Sequence, residues 1–225
     1  MTHRLTVALH LLYASGLRIS EAVAAKAGDL EWVSFPADEA DGQAIDGWLL
    51  HVIGKGGRRR EVPIPYEITS ELSAYFDRRG LDTDLEDAEN KAAHLLGKAP
   101  FEAAGPTATR RPPRPGLTVR AADGISASTL YDQIKAFFTD CAESLKAQGN
   151  ERAERRFRQA STHWMRHTHA SHAIAGGMPV QVAQQNLGHA SLATTTVYVK
   201  TETRDRLRKV EAFWGKAEER RRVGG

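Results

Sequence analysis

The sequence predicts a mainly α-helical fold that also contains one small antiparallel β-sheet, an α+β class. Two observations support this prediction. Apolar residues recur at helical spacing through most of the chain, as at Leu5, Ala8 and Leu12. One pair of short β-rich runs, Trp48–Ile53 and Arg59–Ile64, is separated by a glycine-rich turn that is typical of a hairpin.

Composition indicates a globular protein of one ordinary domain. The chain has 225 residues, of which 41% are hydrophobic and 26% are charged. Its single cysteine, Cys141, excludes an internal disulfide framework. The sequence contains no apolar run long enough to cross a membrane, so we expect a cytoplasmic protein.

The positive charge is clustered although the formal net charge is only +3. The clusters are Lys55 with Arg58, Arg59 and Arg60; Arg110, Arg111, Arg114 and Arg120; Arg152, Arg155, Arg156 and Arg158; and Arg220, Arg221 and Arg222. If the fold brings such clusters together, they favour a polyanionic partner such as double-stranded DNA. Scattered solvated faces are the alternative.

Two helices are predicted at the start of the chain. The first contains Leu5–Tyr13 and ends at Ser15–Gly16, and the second is a short helix that contains Ile19 and Val23. Arg18 lies at the junction, where a backbone turn can direct its side chain into a cleft. Taken alone, it would be an ordinary surface arginine.

The predicted hairpin places Lys55 at its tip, between Gly54 and the pair Gly56–Gly57. Glycines around one lysine make a mobile tip that can deliver an ammonium group into a groove. An exposed lysine without a special role is the alternative for this residue taken alone.

The middle of the chain is predicted to contain one helix and an irregular insertion. Pro65–Tyr66 opens a helix that runs to about Arg79. Residues 82–124 form the insertion, with an acidic, solvated start at Asp82–Glu89 and a remainder rich in Pro, Gly, Ala and Arg. This remainder contains the candidate DNA contacts Arg110, Arg111 and Arg114. A tolerated insertion that makes no contacts is the alternative.

Two further helices are predicted on either side of the stretch Ser161–Lys200. A long helix begins after Ser126 or Ser128 and is followed by the charged segment Glu151–Arg158. The last helix covers Thr203–Ala217, where Leu207, Val210 and Trp214 form one apolar stripe.

The stretch Ser161–Lys200 contains the residues best suited to chemistry. Thr162 is the predicted N-cap of a helix that ends at Gly176–Gly177, and His163 and Arg166 share one face of it at i, i+3. A second short helix begins at Pro179. It ends at Leu187-Gly188-His189, and Tyr198 follows.

Together these side chains suit a phosphate group. A guanidinium binds two phosphate oxygens, histidines exchange protons near neutral pH, and a tyrosine hydroxyl can attack phosphorus. The motifs resemble the catalytic signature of the tyrosine recombinase (phage integrase) family, namely H-x-x-R, then L-G-H, then a tyrosine nine residues after the second histidine. They stand here as His163…Arg166, Leu187–His189 and Tyr198.

Two further motifs extend the resemblance over Leu5–Trp214. Gly16–Glu21 resembles the first-arginine motif of the family, and Ile53–Arg58 resembles its hairpin lysine. The family usually has an acidic residue and a leucine where this chain has Trp164–Met165.

The resemblance implies a tyrosine recombinase catalytic domain over residues 1–201. A C-terminal helix and tail follow over residues 202–225, and related proteins often exchange this element between protomers. The family usually carries a preceding DNA-clamping domain, so the chain is either a fragment or a naturally short member, and both readings stay open.

The implied activity is site-specific cutting and rejoining of double-stranded DNA through a covalent 3′-phosphotyrosyl intermediate, without a cofactor or metal. The implied catalytic residues are Arg18, Lys55, His163, Arg166, His189 and Tyr198, supported by Glu21. The DNA-binding candidates are Arg58, Arg59, Arg60, Arg110, Arg111 and Arg114. By the same resemblance, we expect a tetramer on paired DNA sites.

Three other readings are weighed against this one. A metal site formed by His163, His167 and His189 is disfavoured, because Arg166 shares their face and would repel a cation. A catalytically silent DNA-binding module is disfavoured because all six expected catalytic side chains are present. A type IB topoisomerase would use similar chemistry on one strand, but the order of L-G-H, threonines and tyrosine favours a recombinase.

Overall fold

The structure is a computed structural model, and it describes residues 2–37, 44–98, 124–188 and 206–215. The helices are α1 (His3–Ser15), α2 (Ile19–Ala24), α3 (Tyr66–Arg79), α4 (Ala127–Ala147), α5 (Glu151–Gln159), α6 (Thr162–Ala175), α7 (Val180–Leu187) and α8 (residues 206–215). The strands are β1 (Leu30–Phe35), β2 (Ile45–Ile53) and β3 (Arg59–Ile64). This confirms the predicted α+β class. None of the described helices is long and apolar enough to cross a membrane.

Helix α1 lies at the centre of the core and contacts α2, α3, α4, α6 and β3. The Thr2 hydroxyl caps its first turn, and Gly16 ends it with a φ of 64°, a conformation that glycine adopts at little cost. Leu11 and Leu12 are fully buried with Phe76 and Leu130. Burying a large apolar side chain contributes about 1.5–3 kcal/mol, so this cluster supports the elements around it.

The sheet is antiparallel in the order β1-β2-β3. The hairpin of β2 and β3 was predicted from the sequence and is confirmed. Strand β1 was not predicted, and the reason is visible in its burial, since within Leu30–Phe35 only Leu30 is buried. An edge strand of this kind lacks the apolar alternation that identifies a half-buried strand.

The acidic start of the insertion, Asp82–Glu89, is largely exposed, as predicted, and Leu85 is its one buried residue. Residues 82–98 are irregular, as predicted, but Leu85, Leu95 and Leu96 are buried in the core. The segment is held by backbone hydrogen bonds to residues 25–28, and the buried Asn90 side chain donates to two nearby carbonyl oxygens. Because these polar groups are paired, irregular backbone can be buried without a large cost. Residues 99–123, with the predicted contacts Arg110, Arg111 and Arg114, lie outside the described residues.

The helices that lead into the site differ in two details from the prediction. The segment predicted only as charged and polar is the helix α5, capped by Asn150. The N-cap of α6 is Ser161 rather than Thr162, because the Ser161 hydroxyl accepts from the backbone N–H of Trp164. The C-terminal end at Gly176 and the Ser126 cap of α4 agree with the prediction.

Helix α8 buries its predicted apolar stripe within this chain. Leu207, Val210 and Trp214 are buried, and Phe213 beside them is buried too. The ring of Tyr13 on α1 lies 5.8 Å from Trp214 and 6.1 Å from Phe213, between centroids. Trp214 therefore packs in the main core and Val210 and Phe213 in a smaller cluster, and Tyr13 of α1 packs against both.

Candidate active site

The first site residue, Arg18, is held by Glu21 at the start of α2. The backbone N–H of Arg18 donates to Oε2 of Glu21 at 2.8 Å, and its Nη1 donates to Oε1 at 2.9 Å. A glutamate at the third helical position commonly reaches back in this way to cap a helix. Here the same carboxylate also orients the guanidinium, as the predicted contact between Glu21 and Arg18 requires.

Arg60 lies in this site and not on an open DNA-binding surface. Its Nη1 and Nη2 donate to Oε1 and Oε2 of Glu21 at 2.9 and 2.7 Å, and its Nε donates to the carbonyl oxygen of Asn186 at 3.0 Å. The Arg60 side chain is only 11% exposed. DNA contact was predicted for Arg60, whereas its guanidinium donors are directed into the protein, onto Glu21 and Asn186. Arg58 and Arg59 are exposed.

The carboxylate of Glu21 is strongly stabilised in its charged form. Its side chain is 3% exposed, and burial by itself raises the pKa. The hydrogen bonds and charges of Arg60 and Arg18 outweigh burial and lower the pKa of Glu21 from 4.5 to about 2. The group is therefore a fixed anion at any physiological pH.

Arg166 is placed by two backbone carbonyls. Its Nη1 donates to the oxygen of Gly16 at 2.5 Å, and its Nη2 donates to the oxygen of Leu187. Burial, and then the positive charge of Arg18, lower the pKa of Arg166 to about 10, while Glu21 opposes this fall. The guanidinium stays charged near neutral pH, and it is close enough to Arg18 to interact with it electrostatically.

His163 lies on the exposed side of α6, one turn before Arg166. Its Nε2 is 2.8 Å from Nε2 of His167, and the two rings meet edge to face with centroids 4.3 Å apart. One nitrogen must donate and the other accept, so the pair shares a proton between neighbouring turns. His169 is fully buried instead, with its Nδ1 donating to the carbonyl oxygen of Tyr13. It is therefore a core residue.

The remaining predicted groups are only partly described. The backbone of Lys55 lies in the turn between β2 and β3, and its side chain lies outside what the structure describes. His189 and Tyr198 also lie outside the described residues. Gly188, directly before His189, ends α7 with a φ of 63°, and a Cβ there would lie 3.0 Å from Cδ of Arg60. Both facts favour glycine in the L-G-H motif.

One residue of the site, Asn186, was missed from the sequence, and Arg60 was predicted in a different role. Arg60 lies on the same face of β3 as the buried Val62 and Ile64, because alternate residues of a strand share a face. This alternation could have indicated that Arg60 points inward. Asn186 offered no such signal. It is buried, and its Oδ1 accepts from Nε of Arg206 on α8 at 3.0 Å while its carbonyl accepts from Arg60.

Over the described parts of the chain, no group of three or more His, Cys, Asp or Glu side chains is arranged to hold a metal ion.

Known proteins of one family are similar to this chain. The protein-family model described as "Phage integrase family" matches residues 1–204 of this sequence. The tyrosine recombinase XerD of Rickettsia conorii is 27% identical over 200 residues, which cover 89% of this chain and 53% of that protein. The tyrosine recombinase XerC of Pelobacter propionicus is 28% identical over 202 residues, which cover 90% and 49% respectively. The chain thus spans about half the length of the curated relatives it matches.

A solved structure supports the same fold. The integrase from mycobacterium phage Brujita superposes with a TM-score of 0.51 at 17% identity, over 95% of this chain and 52% of that chain. At this identity the likeness concerns the fold alone.

Proposed function

This chain belongs to the phage integrase family, and from that premise we propose that it cuts and rejoins double-stranded DNA as a site-specific tyrosine recombinase. The observation that supports this best is the pair of interacting guanidiniums, Arg18 and Arg166, each held by fixed acceptors of the protein. Guanidiniums held in place before a charge develops are the main means of stabilising a phosphoryl transition state.

We assign the catalytic roles as follows. The Tyr198 hydroxyl attacks phosphorus and forms a bond to the 3′ phosphate, while the 5′ oxygen of the cut strand leaves. His163 accepts the tyrosine proton, and Lys55 donates a proton to the leaving oxygen. Proton transfer of this kind contributes roughly 10²–10⁴ in rate.

Charge that develops on the non-bridging oxygens is stabilised by Arg18, Arg166 and His189. Each donor of this kind contributes about 10²–10³. Rejoining reverses the step with the 5′ hydroxyl of another strand, and the phosphotyrosyl bond conserves the energy, so no cofactor is required.

The partner in the proposal is duplex DNA, bound by backbone contacts from the exposed Arg58 and Arg59 and from Arg110, Arg111 and Arg114. We propose that four copies assemble on two DNA sites, with residues 202–225 exchanged between neighbours. In the free chain α8 packs on α1, so exchange would require this helix to leave its own core. The two curated relatives described above are recombinases by name, which favours this reading over a silent DNA-binding module or a topoisomerase.

A nicked duplex tests the proposal, because the fragment released on cleavage diffuses away and the covalent adduct accumulates. The DNA is chosen by sequencing fragments crosslinked to the protein in its native cell. We expect a protein–DNA adduct on Tyr198 with the wild-type chain and none with Tyr198→Phe, which should still fold and bind. Tyr131→Phe, at an exposed tyrosine of α4, is the matched control and should keep the adduct. An adduct on another tyrosine would refute the assignment.

Two measurements separate binding from chemistry. The affinity should fall steeply with salt, with a log–log slope of about −0.9 per neutralised phosphate. Lys55→Ala should slow adduct formation much more than it weakens binding, because one backbone contact contributes little to the total affinity. An equal loss of both would show that Lys55 is only a phosphate contact.

Activity should also persist in excess EDTA, because the proposed mechanism uses no metal. Loss of activity in EDTA and its recovery with added metal would overturn the mechanism.

A further inference from the structure

We infer that Arg60 is a positioning residue for the reaction proposed above, acting through Glu21 to hold Arg18 in place for the phosphate. The inference rests on the proposed function. It assigns a supporting role to a side chain whose guanidinium donors are bound within the protein.

The first step is the direction of the Arg60 side chain. Residues 60, 62 and 64 of β3 share one face, and Val62 and Ile64 on that face are fully buried. Arg60 therefore enters the protein beside the hairpin turn that contains Lys55, and its guanidinium meets the Glu21 carboxylate with two parallel hydrogen bonds. This bidentate geometry is the strongest arrangement available to an arginine and a carboxylate.

The second step concerns the charge on Glu21. A buried carboxylate is costly unless it is paired, and both of its oxygens are paired with Arg60. The guanidinium of Arg18 shares Oε1 through Nη1 only, so its Nη2 and Nε are not bound to Glu21 in the structure. Without Arg60, the full charge of Glu21 would fall on Arg18, and the guanidinium would be drawn onto the carboxylate with both arms. Arg60 thus lets Glu21 orient Arg18 without neutralising it.

The third step is the link to the second arginine. Nε of Arg60 donates to the carbonyl oxygen of Asn186, and Arg166 donates to the next carbonyl, that of Leu187. These are the last carbonyls of α7, which lack partners within the helix and attract cations. One side chain therefore joins the end of α7 to the start of α2. Its loss should disturb the spacing of Arg18 and Arg166.

The test is single-turnover adduct formation on the nicked duplex at saturating protein. We expect Arg60→Gln to slow adduct formation by about 10²-fold, the size of one electrostatic donor, with less than about a threefold change in the DNA dissociation constant. Arg60→Lys keeps the charge but cannot form the bidentate pair, so its rate of adduct formation should lie between the rates of the wild type and Arg60→Gln. Circular dichroism and the melting temperature identify any variant that does not fold.

A second buried arginine provides the matched control. Arg79 is buried on α3, and its Nη1 donates to the carbonyl oxygen of His94. Arg79→Gln should lower the melting temperature and leave the rate of the bound complex within about threefold. The double variant Glu21→Gln, Arg60→Gln should be no slower than Glu21→Gln alone, because Arg60 acts through Glu21.

Each contrary result overturns the inference in a distinct way. Equal losses of rate and affinity in Arg60→Gln would show a DNA contact. The same loss of rate in Arg79→Gln would show an effect of stability alone, and losses that multiply in the double variant would show that Arg60 acts independently of Glu21. A wild-type chain that forms no adduct refutes the proposed function itself. An active wild type with a fully active Arg60→Gln refutes only the inference.

Discussion

Replacing Glu211 with glutamine should stabilise the protein at pH 8 but not at pH 4. Glu211 lies half-buried on α8, and its Oε1 accepts a hydrogen bond from the backbone N–H of Tyr66 at the start of α3, at 3.2 Å. Burial, and then the negative charge of Glu67, raise the pKa of Glu211 from 4.5 to about 7, against the effect of the Tyr66 N–H. The charged form is thus disfavoured in the folded state.

The sign and size follow from proton linkage. Because the folded pKa lies above the unfolded one, the contribution of Glu211 to stability is complete below pH 4.5 and is lost as the pH rises through 7. The rise in pKa corresponds to about 3 kcal/mol, and the partial exposure of the carboxyl reduces this to about 2 kcal/mol. Glutamine stays neutral and keeps an oxygen that can accept from Tyr66, so it avoids this loss.

Urea unfolding followed by circular dichroism, at pH values from 4 to 8, measures the effect. We expect the free energy of unfolding of Glu211→Gln to exceed that of the wild type by about 2 kcal/mol at pH 8 and by almost nothing at pH 4. Glu143→Gln is the control. Arg158 lowers the pKa of Glu143, so removing this carboxylate should not stabilise the protein at pH 8. A Glu211→Gln curve parallel to that of the wild type would refute the reasoning.

The other predictions concern the core around the site. Gly16→Ala should lower the free energy of unfolding by more than about 2 kcal/mol in urea titrations, because φ is 64° and the new Cβ would lie 2.6 Å from Cδ2 of His169. Burial lowers the pKa of His169 from 6.5 to about 4, so stability should fall as the pH drops from 6.5 to 4, and His169→Gln should flatten this fall. Trp214→Ala should cost about 3–5 kcal/mol in the free monomer, because the ring is buried against Tyr13; an unchanged melting temperature would show that α8 does not belong to its own core.

Local patterns in the sequence determined most helices and the hairpin of this protein. Apolar spacing predicted α1 and α3, and Gly16 marked the end of α1, because helix formation and capping depend on residues within a turn or two of each other. The resemblance to the family likewise predicted Arg18 and Arg166 as site residues, and the two guanidiniums interact electrostatically in the structure.

Tertiary structure alone decided which distant groups meet. Strand alternation indicates that Arg60 points inward, but only the packing of β3 and α2 on α1 brings it to Glu21, 39 residues away. Residues 91–96 follow an acidic, exposed stretch and lack periodicity, yet hydrogen bonds to residues 25–28 hold this segment and bury Leu95 and Leu96. Asn186 holds both Arg60 and Arg206 although nothing near it in sequence predicts either contact. A pairing between segments far apart depends on how whole elements pack, and the local pattern of residues does not contain that information.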